Sequence, residues 1–163
     1  SEGCDGGEGM TDGQGGQLAT LEEATRMLAE CRTVPEVKKI RDLAEAARVY
    51  AKRAGLGLEA QNHAAEIKAG AEYRAGQILI EMKAKGERAS SRDGKPSSKV
   101  QLGSVELPIT KTQSARWQKV AEFVTPDELK RYVTDKKAAH VEITSIGLAR
   151  IAKENELKAK KTE

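Results

Sequence analysis

Between Val34 and Lys85 the chain reads as two long helices joined by Gly55-Leu56-Gly57, and that pairing leaves few folds open. Thr33-Val34-Pro35-Glu36 is a capping box with proline in the first turn, where its missing N–H costs no hydrogen bond. Val37, Ile40, Ala44, Ala47, Ala51 and Ala54 then recur at steps of three and four, a heptad seam. The seam is mostly alanine, so a partner helix can approach closely. The Gly-Leu-Gly stop turns the chain. A following helix, predicted from about Leu58 to Lys85, carries small residues on more than one face, among them Ala64, Ala65, Ala71, Ala75 and Gly76. A short turn between long helices implies an antiparallel hairpin. Small residues on several faces imply packing against more than one neighbour. The expectation is a homodimer formed through Ala44, Ala47, Ala51, Ala64, Ile67, Ala71 and Ile78, with a monomeric three-helix bundle as the alternative.

Composition supports helices throughout. Of 163 residues, 33% are charged and only 3% aromatic, and no sustained alternation of β-branched residues marks a strand. The expected class is all-α: an N-terminal helical hairpin and a small C-terminal helix-turn-helix bundle. Five segments follow from the pattern. Residues 1–17, acidic and glycine-rich, are expected to be disordered. Residues 18–85 form the hairpin, with a first helix over about Leu21–Cys31 capped by Thr20 and Glu23 and striped by Leu21, Ala24, Met27, Leu28 and Cys31. Residues 86–103 are a basic linker, residues 104–157 the bundle, and residues 158–163 a basic tail.

No catalytic constellation is present. There is no phosphate loop with its Lys-Ser/Thr, no nucleophile elbow and no Cys/His metal spacing, and Cys4 and Cys31 make neither a metal pair nor a disulfide framework. His63 and His140 are assigned no role. The expectation is a protein that is not an enzyme and takes no cofactor and no metal. No apolar run approaches the ~18 residues of a membrane span, and no signal peptide is read, so a cytoplasmic, non-membrane protein is expected.

The charge distribution points to a partner. Net charge is only +3, but residues 88–119 hold seven basic side chains against two acidic ones. Clustered basic residues mark nucleic-acid contact better than net charge does. Within this region lies Ile109–Val124, with the only Trp, Trp117, and the only Phe, Phe123. Leu102 to Leu107 is read as a short helix ended by Pro108. Thr110 and Gln113 cap the next helix, which buries Trp117, Val120, Ala121 and Val124 and turns Lys111, Thr112, Gln113, Arg116 and Lys119 outward. Helix, turn and a basic second helix is the arrangement for major-groove insertion, with Gln pairing with adenine edges, Arg with guanine edges, and Lys and Thr reaching phosphates or bases. Arg92, Lys95 and Lys99 of the linker are further candidates for phosphate contact, against a plain solvated tether. Thr125-Pro126-Asp127-Glu128 starts another helix, and Thr144 a last one whose Ile146, Leu148, Ile151 and Ala152 are expected to cover Trp117.

The segment LPITKTQSARWQKVAEFVTPDELKRYV…EITSIGLARIA resembles the C-terminal part of a group of phage and mobile-element proteins carrying a helix-turn-helix of the ParB/KorB type. The matching positions are Leu107, Ile109, Lys111, Gln113, Ser114, Arg116, Trp117 and Gln118, then Pro126, Glu128, Thr144, Gly147 and Leu148. Ala65 to Lys83 is similar to the helix before the linker in that group. One departure is Pro108, where the group usually has Gly. The resemblance implies a regulator or DNA-maintenance accessory factor acting on double-stranded DNA, and a nucleoid-associated location when bound. The competing expectation is a protein-interaction module or inhibitor that binds a host or phage protein through the alanine-rich hairpin.

Overall fold

The computed structural model describes residues 12–86, 99–102 and 105–163. Its elements in order are α1 (Asp12–Glu30), α2 (Val34–Arg53), α3 (Leu58–Ala84), β1 (Lys99–Leu102), β2 (Val105–Thr110), α4 (Lys111–Phe123), α5 (Pro126–Ala138) and α6 (Ser145–Thr162). The fold is all-α, as composition and periodicity require, with one two-stranded antiparallel ribbon.

Helices α2 and α3 form the core hairpin. Thr33 and Glu36 exchange both capping hydrogen bonds at the start of α2, and Gly55 ends it in the left-handed region at φ 68°. The antiparallel register shows in the ion pairs that cross between the helices: Arg41 meets Glu72, and Glu45 meets Lys68. Val37, Ile40 and Ala44 of the seam are buried in one cluster with Ala64, Ile67, Ala71, Ala75 and Ile78; Ala51 is also buried, whereas Ala47 is half-buried and Ala54 exposed.

The residues expected to pair two protomers are therefore consumed within the chain. Ala44 and Ala71 have no exposed surface, and Ala51, Ala64, Ile67 and Ile78 have 5% or less. The physical reason is length: α2 and α3 are long enough, at 20 and 27 residues, to satisfy each other's apolar faces, and Leu21 and Ala24 of α1, with Cys31 just after it, close the remaining edge. The second small face of α3 is likewise met inside the chain, by α4.

Three local expectations change. Residues 12–17 belong to α1 and Thr20 is not its N-cap, because a helix nucleated by the packed turns after Leu21 extends N-terminally by one hydrogen bond per residue. Residues 1–11, the rest of that acidic tail, lie outside the described residues. Met27 is 52% exposed and not part of the apolar stripe. Most consequentially, residues 102–107 are not a helix. Val105 to Thr110 is a strand paired with Lys99–Leu102, with Leu102 opposite Val105 and Gln101 opposite Glu106. Val105, Leu107 and Ile109 alternate with Glu106, Pro108 and Thr110, and Pro108 biases Leu107 away from helix. Leu107 and Ile109 are buried while Pro108 and Thr110 are exposed.

The hairpin and the C-terminal helices do not have separate cores. One cluster joins Leu21, Val34, Ile78 and Leu79 to Leu107, Ile109 and Trp117. A second joins Ala65, Ala69 and Tyr73 of α3 to Val120, Val124, Tyr132, Val133, Leu148 and Ala152. Trp117 thus anchors to the hairpin side, and Ile146, expected to cover it, is 61% exposed. Polar clamps reinforce the union. Asn62, 2% exposed on α3, donates to the Val141 carbonyl and accepts from the Ile143 N–H, both at 2.9 Å. Tyr73 donates to the Val124 carbonyl at 2.7 Å. Buried hydrogen bonds of this kind fix geometry because a lost partner leaves a desolvated polar group behind.

Candidate functional site

Helix α4 begins where the ribbon ends. Thr110 Oγ1 accepts from the Gln113 N–H at 3.1 Å, and Gln113 Oε1 accepts from the Thr110 N–H at 3.0 Å. On one side Ser114, Trp117 and Val120 are buried; on the other Lys111, Thr112, Ala115, Arg116 and Lys119 are exposed. Both faces follow from the helical spacing, but the structure separates the residues of the outer one. Gln113 is half-buried, and its capping bond occupies the acceptor that a two-point contact to an adenine edge requires. Lys119 is paired with Glu156 of α6 at 2.8 Å, and Lys119 with Lys160 holds the Glu156 carboxyl below the usual range. Lys111, Thr112 and Arg116 carry no such bond among the described residues. Lys99 is placed on β1, the strand that pairs with the approach to α4. Arg92 and Lys95 lie outside the described residues.

A cleft opens beside α4 that the linear pattern did not reveal. It has a volume of about 320 Å³ and is bounded by Arg41 and Arg48 of α2, Lys68 and Glu72 of α3, Arg116 of α4, and the segment from Glu142 to Ile146 that leads into α6. Its cations come from three helices, so no local charge run announces them. Arg41 Nε bonds Glu72 Oε1 at 3.1 Å, and the Ser145 hydroxyl donates to the other Glu72 oxygen at 2.9 Å. Arg48 grips Glu45 with two nitrogens, at 2.9 and 3.0 Å, and reaches Glu142 with the third at 3.3 Å. Lys68 completes the group by bonding Glu45 at 3.0 Å. The Glu45 carboxyl is held down at about 2, chiefly by its bond to Arg48 and then by Lys68, against the opposing effect of burial. Burial works against charge on Arg41 also, but its bonds to Asp42 and Glu72 raise its pKa overall.

This network fixes a pH dependence. Glu45 is depressed in the folded chain, so its contribution is present above its ordinary value of 4.5 and is lost as pH falls toward 2. The Glu45 side chain is 29% exposed, so partial screening by solvent keeps the effect small. Melting temperatures of the wild type and Glu45→Gln should differ by about 1–3 °C at pH 6 and converge near pH 2. A gap that persists at pH 2 would show that Glu45 acts through packing instead.

Elsewhere the described residues hold no group of three or more His, Cys, Asp and Glu arranged to take a metal ion, and no helix long and apolar enough to cross a membrane. No family model matches the chain, and neither a curated protein nor a solved structure is similar to it.

Proposed function

We propose that the chain binds double-stranded DNA with the outward face of α4 as the element entering the major groove, as an accessory or regulatory factor of a mobile genetic element. The observation that carries this reading is the two-sidedness of α4. Its inner face is locked by Ser114, Trp117 and Val120, while Lys111, Thr112 and Arg116 stand exposed along its first two turns. A helix held rigidly from behind and bare at its N-terminal half suits base contact, because the positions of its side chains are set before binding. The basic surroundings extend the footprint: residues 111–163 carry twelve Lys and Arg against eight Asp and Glu, a net of +4. Approach through a β-ribbon replaces the helix-turn-helix entry, so α4 is proposed as a groove helix without that motif's first helix. Arg116 is the base-reading candidate, Lys111 and Thr112 the phosphate contacts, and Gln113 serves the cap.

Selection of bound sequences from a random duplex pool, followed by anisotropy titrations at several salt concentrations, tests the reading. Arg116→Ala should weaken the selected site by about 1–3 kcal/mol and relax preference at one position. Lys111→Ala should weaken all sequences alike and lower the salt slope by about 1. Failure to enrich any sequence, together with salt-independent or undetectable binding, would remove the proposal.

A further inference from the structure

We propose that the cleft between α2, α3, α4 and the start of α6 is a binding site for a phosphate group, gripped by Arg48 and Arg116. Four cations and two carboxylates, Glu72 and Glu142, line a cavity of about 320 Å³; Asp42 and Glu45, which are not part of that lining, pair Arg41, Arg48 and Lys68, and Arg116 is the lining cation with no ion pair among the described residues. Three of these cations are largely withdrawn from water: the side chains of Arg41, Arg48 and Lys68 are only 16–21% exposed. An incoming anion would gain from Arg116, which has no ion pair among the described residues, and from the Arg48 nitrogen that meets only the exposed Glu142.

The hydrogen bonds show how room is made. Arg48 is oriented by its two-nitrogen grip on Glu45, a residue that is not part of the cavity lining, and only its third nitrogen holds Glu142. That contact, at 3.3 Å, is the longest of the ion pairs among the described residues, and the Glu142 side chain is 43% exposed. Glu142 can therefore swing into water while Arg48 stays aimed. A phosphate in its place takes two charge-assisted bonds, one from Arg48 and one from Arg116, which makes no ion pair among the described residues. Glu72 stays committed to Arg41 and Ser145 and does not need to move. The start of α6 borders the same space and has no acidic residue in its first turn, so its N–H groups add to the field. The site does not rest on groove docking by α4.

Calorimetric titration of the full chain with inorganic pyrophosphate tests the site, and two variants should move its affinity in opposite directions. Arg116→Gln removes an exposed cation and should weaken binding about tenfold or more, the size of one charge-assisted bond. Glu142→Gln removes the competing carboxylate and should tighten binding several-fold. Lys158→Gln, on exposed α6 surface, should change nothing. Lys111→Ala should leave pyrophosphate unaffected even where it weakens duplex binding, which separates this site from the groove reading. Competition then identifies the source: displacement of pyrophosphate by a DNA duplex assigns the phosphate to nucleic acid, and displacement only by nucleoside triphosphate assigns it to a free nucleotide. Absence of heat at millimolar pyrophosphate, or equal affinity in Arg116→Gln, Glu142→Gln and Lys158→Gln, would overturn the proposal.

Discussion

Gly76→Ala is expected to destabilise the chain by about 2–3 kcal/mol, even though alanine is the better helix former by roughly 1 kcal/mol. A Cβ at position 76 would lie 2.6 Å from the Trp117 carbonyl carbon, nearer still to its oxygen, and 2.9 Å from the Ala121 Cβ. The obstruction is backbone, so it cannot rotate away; α3 and α4 would have to separate. A change of this size lowers the melting temperature by about 5–10 °C in a chain of this length. Gly70→Ala, on the same helix, is the contrast. Its added methyl group meets only Leu28 Cδ2 at 3.4 Å, an ordinary contact, so its helix propensity should make it neutral or slightly stabilising. Scanning calorimetry of the pair decides the matter: equal stabilities would mean that α3 and α4 do not pack this closely.

Trp117→Ala carries the largest expected loss, about 3–5 kcal/mol, from truncating a fully packed aromatic side chain. Trp117 is 3% exposed and sits in one cluster with Val34, Ile78, Leu79, Leu107 and Ile109, residues of α2, α3 and β2. Against a typical total stability of about 5–15 kcal/mol, that is a large share of what holds the fold. Because the cluster spans the hairpin and the C-terminal helices, both should lose stability in one transition. Far-ultraviolet circular dichroism should therefore show a single cooperative melt shifted down by about 10–20 °C. A hairpin that melted separately at the wild-type temperature would contradict a shared core.

How far the residues alone lead can be argued element by element. The capping boxes at Thr33, Thr110 and Thr125 are local: a side chain and an N–H three residues apart find each other whatever the rest of the chain does. The helices that follow were legible for that reason, as was the two-sided character of α4, since 3.6-residue periodicity is also a local property. The ribbon was missed although its signal was present. Val105, Leu107 and Ile109 alternate with Glu106, Pro108 and Thr110, but the stretch is short, and Leu102 to Leu107 fits equally the short helix ended by Pro108 that the residues alone suggest. The cleft was not legible at all. Arg48, Lys68 and Arg116 are separated by 20 and 48 positions, and nothing local marks them as neighbours.

The small residues of α3 show most directly where the division lies. The sequence by itself determined that α3 must be approached closely on more than one side, because a helix with alanine or glycine at positions 64, 65, 69, 71, 75 and 76 leaves space that only a neighbouring backbone can fill. It could not determine whose backbone that is, since a second copy and a later helix of the same chain satisfy the same pattern. Tertiary structure decided it: α2 takes one face and α4 the other, with Gly76 against the Trp117 carbonyl. That closure also brings Arg116 beside Arg48 and Lys68, so the docking of α4 on the hairpin both completes the core and assembles the charged cleft.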